Sequence, residues 1–206
     1  MLGRPFGAPN EPAFQRKVLL AALKLLEATA GPVLQDFPED APASTDGNEG
    51  FACPVSFARA DQAVPDLPEA LQREIAQLAP WHDLALKRRG RSTVGLSGLR
   101  IEAIADFIAS YLGDAPLPNY QPESPLGVAL KRACDDLKAY YYEACAAQPG
   151  NLSASAIQDW FWRDTAAGRA FLELKAVCLA SADKSVKLFG SNSLVPRAVQ
   201  HSLVQH

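Results

Sequence analysis

A basic loop is the first feature whose residue types could do chemistry. Residues 84–101 contain five basic side chains and no acidic one, and four of the five lie in Lys87–Arg91. Serine, threonine and glycine residues follow directly, up to Gly98. Free backbone N–H groups and guanidinium groups can together hold a phosphate or a carboxylate. The spacing matches no phosphate-loop motif. We predict a ligand-binding site here, with a solvated connector as the alternative; its residues are Arg88, Arg89, Arg91 and Ser92.

Two aromatic clusters could contribute to such a site. In Tyr140-Tyr141-Tyr142, helical periodicity places the first two rings on or beside an apolar stripe, where core packing is the better interpretation. In Trp160-Phe161-Trp162, the last ring faces away from Ile157 and Phe161. Trp162 therefore either packs on a neighbouring helix or lines a pocket, and we include it among the ligand-binding candidates.

The four cysteines, Cys53, Cys134, Cys145 and Cys178, lack the paired spacing of a zinc site or a disulfide framework. Cys134 and Cys145 are three helical turns apart, about 16 Å, so they cannot bond each other, and we predict that they are buried. Cys53 is the one candidate reactive thiol. We predict no catalytic residue, metal or cofactor, and Asp135-Asp136 has no carboxylate or histidine at a useful spacing.

Composition excludes several classes of protein. The chain has 206 residues, 48% of them apolar, and a formal net charge of −3. A net acidic chain whose basic residues are not interleaved with aromatic ones does not favour nucleic-acid binding. No apolar run approaches the roughly 18 residues that a membrane helix needs, and no secretory signal is present at the start. We therefore expect a cytoplasmic location.

Proline divides the chain into two parts. Nine of the sixteen prolines precede residue 69, whereas only Pro149 lies between residues 126 and 195. Residues 30–66 are rich in turn-forming residues and acids, which predicts an extended arm. We predict an N-terminal helix with a proline-rich arm over residues 1–66 and a helical bundle over residues 67–206.

Caps and apolar periodicity predict five or six helices in an irregular, mainly α bundle with few or no strands. Phe51–Phe57 is the one possible edge strand. On the longest helix, Lys131 with Asp135 and Arg132 with Asp136 form i,i+4 pairs on the predicted wet side. The predicted first helix covers residues 11–29. The predicted bundle helices cover residues 68–80, 81–89, 101–112, 124–144, 153–162 and 165–189. Pro80 separates the short 81–89 segment from the helix before it, and Ser153 is predicted to cap the helix over residues 153–162.

The first helix carries two apolar stripes. Phe14, Val18, Ala21 and Leu25 form one, and Leu19, Ala22, Leu23 and Leu26 form the other. A helix with two apolar stripes needs cover on two sides. Either the proline-rich arm folds over it, or part of its surface packs against another subunit or domain.

Several segments resemble the later part of proteobacterial proteins related to selenoprotein B of the glycine, sarcosine and betaine reductases. The similarity is densest in residues 2–57, and it is carried by Leu2–Leu23, Gly31–Pro42, Ala52–Phe57, Asp159–Trp162 and Leu194–Ala198. In those relatives this region follows an α/β part that carries the redox selenocysteine or cysteine. The resemblance implies that the chain is a tail without that part, whose Met1 corresponds to an internal methionine. It implies association with an oxidoreductase and no catalytic residue here.

Two functions follow. The first is a non-catalytic helical docking module that binds a redox partner protein or forms a homo-oligomer through the first helix and the arm. The second is a small-molecule component of a reductase that binds phosphate or carboxylate at the basic loop, residues 87–98. We expect neither nucleic acid nor a membrane as a partner.

Overall fold

The computed structural model describes residues 12–39, 66–149, 153–196 and 199. The chain divides into two compact units, Met1–Asn48 and Glu49–His206. The predicted boundary between residues 66 and 67 stays a prediction, because residues 40–65 lie outside the described ranges. The possible edge strand Phe51–Phe57 lies there too.

The second unit is a bundle of α-helices, which confirms the predicted mainly α fold. No strand occurs in the described ranges. Among the residues described, the helices of this unit are α2 (Leu67–Arg89), α3 (Ile101–Ser110), α4 (Leu126–Ala146), α5 (Ala154–Asp164), α6 (Ala166–Ala180) and α7 (Lys184–Asn192). The helix α4 is central and packs against α2, α3 and α7, while α6 packs against α7, α5 and α2.

The core of this unit forms where apolar faces of α2 to α7 meet. Its largest fully buried side chains include Tyr141, Phe161 and Phe171, whose rings pack edge to face around Phe161. Tyr140 is also buried and Tyr142 is half-buried, so the predicted split of the tyrosine cluster is confirmed. Ser153 accepts a hydrogen bond from the N–H of Ala156, which confirms the predicted cap of α5.

The predicted break at Pro80 is wrong, because α2 runs through this proline without interruption. Proline in a helix interior costs about 3 kcal/mol. The same face of α2 is buried before and after Pro80, through Leu78 and Ala85. Burial of that continuous face offsets the local cost. A sequence rule that considers only the missing N–H cannot include this contribution.

The predicted single last helix is also wrong: residues 181–183 separate α6 from α7. Asp183 caps α7 by accepting hydrogen bonds from the N–H groups of Ser185 and Val186. Gly190, predicted to end the helix, lies inside α7. A Cβ atom at this position would lie 2.5 Å from the Cβ of Cys178, so the glycine permits close packing of α7 on α6.

The first unit contains α1 (Pro12–Lys24) and a single 3-10 turn, Leu25–Glu27, in good agreement with the predicted helix over residues 11–29. The following segment folds back on α1. Phe37 packs edge to face on Phe14 with 5.9 Å between ring centroids, and Lys17 forms an ion pair with Glu39. The first apolar stripe of α1 is half-buried, whereas every residue of the second is exposed.

Candidate functional site

The basic loop joins α2 to α3 and folds around a carboxylate of α4. Asp136 is fully buried, and its two oxygens accept hydrogen bonds from the N–H groups of Gly95, Leu96 and Ser97 at 2.8 to 2.9 Å. The hydroxyl of Ser97 donates a fourth bond at 2.6 Å. A buried carboxylate is tolerated when its oxygens are hydrogen-bonded in this way.

A second carboxylate of α4 holds the preceding residues of the loop. Glu143 lies two helical turns after Asp136, about 10 Å along the axis. It accepts hydrogen bonds from the hydroxyl of Ser92 and from both the N–H and the hydroxyl of Thr93, at 2.7 to 2.8 Å. Burial would raise the pKa of Glu143, but these hydrogen bonds and the nearby imidazole of His82 lower it below its usual value.

Every backbone N–H from Thr93 to Leu99 has an acceptor inside the protein. Five bond to Asp136, Glu143 or the Ser92 hydroxyl, and the last two bond to the Gly95 carbonyl and the Ser97 hydroxyl. Gly95 and Gly98 have φ angles of 133° and 75°, which other residues rarely adopt. The glycine/serine loop therefore does surround an anion, and that anion belongs to α4.

Ser92, His82 and Glu143 resemble the components of a nucleophilic triad but are arranged differently. The Ser92 hydroxyl donates directly to Glu143, and a single nitrogen of His82, Nε2, lies near both, at 3.3 Å from the carboxylate and 3.5 Å from the hydroxyl. In a triad the imidazole joins the acid and the nucleophile through its two different nitrogens. This cluster fixes the loop and is not arranged for proton relay.

Of the arginines predicted as ligands, Arg88 and Arg89 end α2, and Arg91 lies in the loop that follows. Arg88, Arg89 and Arg91 are all exposed. The guanidinium of Arg88 donates a hydrogen bond of 3.0 Å to the carbonyl of Ala147, the C-terminal cap of α4. Neither Arg89 nor Arg91 has an ion-pair partner in the parts of the chain described. Ligand binding by these residues stays a prediction.

Trp162, the remaining ligand-binding candidate, is buried between α5 and α6. Its ring packs edge to face on Phe161 and Phe171. These contacts correspond to packing on a neighbouring helix, one of the two alternatives left open by the sequence. A ligand role for Trp162 stays a prediction.

The predicted pair of Arg132 with Asp136 is wrong. Asp136 faces the core, and Arg132 donates to Gln121 instead, at 2.6 Å. The neighbouring pair of Lys131 with Asp135 does form. The sequence contains a signal for the burial of Asp136. This residue lies three positions after Ala133 and four before Tyr140, on the apolar stripe of the helix, and both of those residues are buried. An acid inside an apolar stripe indicates a specific internal donor.

A third buried carboxylate holds the start of α6. Glu74 of α2 accepts hydrogen bonds from the N–H of Ala166 at 2.8 Å and from the hydroxyl of Tyr141 at 2.9 Å. Burial raises the pKa of Glu74, although these hydrogen bonds oppose the shift. No local pattern indicated this contact, whose partners are 92 and 67 residues apart.

The thiols within the bundle are protected. Cys134, Cys145 and Cys178 are buried, which confirms the prediction for the first two. Burial raises the pKa of Cys145 and of Cys178 to about 11, and that of Cys134 also lies well above its ordinary value. Since the thiolate is the reactive form, these residues are poor nucleophiles. Cys53, the predicted reactive thiol, lies outside the described ranges.

Comparisons with known proteins identify no relative: no family model matches the chain, and no similar curated protein or solved structure is found. Across the residues that the structure covers, no group of three or more His, Cys, Asp or Glu side chains is placed to hold a metal ion. No helix in these ranges has the length and apolar character required to span a membrane.

Proposed function

We propose that the chain is a non-catalytic docking module, similar to the C-terminal region of selenoprotein B-related proteins, that binds a redox-active α/β protein through α1. The leucine stripe of α1, formed by Leu19, Ala22, Leu23 and Leu26, carries the proposal. Leu19 is 50%, Leu23 58% and Leu26 81% exposed. Such an exposed apolar surface on a helix is typical of interaction sites.

The arrangement of α1 supports a docking role more specifically than exposure alone. Phe37 packs on Phe14 of the opposite stripe, and Lys17 pairs with Glu39, so the following segment braces one side of the helix. The leucine stripe stays exposed beside this contact. A partner can bind the apolar side of such a helix through side chains at positions i, i+4 and i+7, which here are Leu19, Leu23 and Leu26.

Two further observations support a role without catalysis. The buried carboxylates Asp136, Glu143 and Glu74 are occupied by internal hydrogen bonds that fix a loop and a helix start. The bundle's three described thiols have raised pKa values. The redox-active partner is inferred from the resemblance, in which residues 2–57, including α1, are most similar to the segment that follows an α/β redox part.

Binding can be tested with the chain and a purified α/β part of a selenoprotein B-related protein, with cysteine in place of selenocysteine. We expect isothermal titration calorimetry to detect a complex with the wild type. The variant Leu19→Lys/Leu23→Lys should lose binding by at least about tenfold, because two charges would enter an apolar interface. The matched control is Val177→Lys/Leu188→Lys, which changes two exposed apolar residues of α6 and α7 and should leave binding unchanged.

Sedimentation velocity of the chain alone distinguishes the two candidate partners of the leucine stripe, which are a redox-active α/β protein and a second copy of the chain. The proposal requires the wild type to be monomeric at micromolar concentration and to bind the added α/β part. A wild-type dimer that dissociates in Leu19→Lys/Leu23→Lys would assign the stripe to a second copy and contradict the redox partner. Absence of any complex, with both variants folded, would also contradict the proposal.

A further inference from the structure

The second exposed surface is formed by residues 86–100, which are the last turn of α2 and the loop that joins it to α3. Five side chains there are exposed and positively charged: Lys87, Arg88, Arg89, Arg91 and Arg100. Two leucines are exposed in the same stretch, Leu86 by 42% and Leu96 by 60%. The loop belongs to the bundle, so inferences about it do not depend on α1 or on the function proposed above.

The two acids that hold the loop do not neutralise these charges. Asp136 and Glu143 are buried, and their carboxylate oxygens accept hydrogen bonds from the N–H and hydroxyl groups of the loop. The one ion-pair contact of Glu143 in the described structure is with His82, and Asp136 has none there. None of the five cations forms an ion pair in the described parts of the chain, so direct contacts there do not compensate the positive charge of this surface.

The loop is also held in one conformation before any partner arrives. Seven consecutive N–H groups, from Thr93 to Leu99, are bonded internally. Binding a preorganised loop costs little conformational entropy, which favours recognition. The guanidinium of Arg88 donates to the Ala147 carbonyl, so the end of α2 that leads into the loop is tied to the end of α4 as well.

The spacing of the cations and the exposed leucines indicate which class of partner this surface would bind. No N–H group between Thr93 and Leu99 is left to surround one small anion, and the cations are distributed over fourteen positions, 87 to 100. Arginines bind carboxylates in bidentate pairs, and the exposed leucines accept aliphatic side chains. We propose that the outside of this loop is a docking site for an acidic peptide segment of another protein, in which aliphatic residues interrupt a run of carboxylates.

Fluorescence anisotropy provides the test, with a labelled peptide of about twelve residues in which leucines interrupt a run of glutamates. We expect the full chain to bind it at low ionic strength and more weakly at high salt. Arg89→Glu/Arg91→Glu should weaken binding at least about tenfold, because attraction becomes repulsion. Lys184→Glu/Lys187→Glu, on exposed residues of α7, makes the same change in net charge and should leave the affinity nearly unchanged.

Four outcomes would overturn the proposal. Equal losses in both double variants would show that only net charge matters. Full displacement of the peptide by millimolar phosphate or acetate would assign the loop to a small anion. Equally tight binding of a single-stranded oligonucleotide, lost in the same Arg89→Glu/Arg91→Glu variant, would assign it to nucleic acid. An absence of peptide binding by the folded wild type would contradict the proposal directly.

Discussion

Asp136 and Ser97 are joined by two hydrogen bonds to a single carboxylate oxygen, from the Ser97 N–H at 2.8 Å and from its hydroxyl at 2.6 Å. Both residues are buried, and they are 39 positions apart in the chain. This contact fastens the loop between α2 and α3 to the central helix of the bundle. Charge-assisted bonds of this kind are stronger than neutral ones, so the stability of the loop should depend on them.

We expect Asp136→Asn to lower the free energy of unfolding by about 3 kcal/mol, because it places an amide donor against the loop's own donors. The matched control is the neighbouring Asp135→Asn, which breaks only the exposed pair with Lys131. That change should cost no more than about 0.5 kcal/mol. Urea unfolding followed by circular dichroism measures both values.

If Asp136→Asn does not fold, Ser97→Ala provides a milder version of the same test. It removes one bond to Asp136 and the acceptor of the Leu99 N–H, so a loss of about 2 kcal/mol is expected. Equal small effects of Asp136→Asn and Asp135→Asn would show that the loop contributes little to stability.

Gly127 should be intolerant of a side chain. A Cβ atom on Gly127 would collide with the backbone carbonyl of Ser185 at the start of α7. We expect Gly127→Ala to destabilise the protein by about 2 kcal/mol, although alanine is the better helix former. Thermal unfolding measures the change. Gly113→Ala is the control, since its nearest neighbour would be 4.0 Å away; a stabilising Gly127→Ala would contradict the close packing of α4 and α7.

Stability should fall in acid because of Glu143. Its pKa is lowered in the folded protein from the ordinary value of 4.5, so its contribution to stability is fully present above pH 4.5 and is lost as the pH falls through the folded pKa. The variant Glu143→Gln should lack this part of the acid dependence in urea titrations between about pH 3 and pH 5. Glu102→Gln, on an exposed residue of α3, should keep it.

The contribution of Glu74 to stability should depend on pH in the opposite direction. Its pKa is raised by burial, so the neutral form is favoured in the folded protein, and its contribution is present below pH 4.5 and lost as the pH rises through the folded pKa. Glu74→Gln removes that loss. The stability of this variant relative to the wild type should therefore increase from about pH 4.5 to pH 7. A pH-independent difference between the two proteins would contradict the raised pKa.

Thiol labelling can separate the buried cysteines from the predicted reactive one. Cys134, Cys145 and Cys178 should react with a maleimide only as fast as the bundle opens, because they are buried and have raised pKa values. Any fast phase in the native protein should come from Cys53. We expect Cys53→Ser to abolish that phase, and a fast phase that persists in this variant would contradict the assignment.

Composition, caps and apolar periodicity predicted the mainly α fold, most helix positions, the split of the tyrosine cluster and the two stripes of α1. These features depend on local caps and on periodicity along one element. Predictions that depend on the balance between a local cost and distant packing were wrong. The continuous α2 across Pro80 is one example, since burial of Leu78 and Ala85 on one face decides the outcome.

The anion that the basic loop surrounds is determined by how the helices of the bundle pack. The glycines, serines and arginines indicated a loop able to hold an anion, and this capacity is visible in any single sequence. Asp136 and Glu143 reach the loop because α4 packs against α2 and α3, over separations of 39 to 51 residues. Contacts at such separations are set by how helices pack together, which no local pattern records.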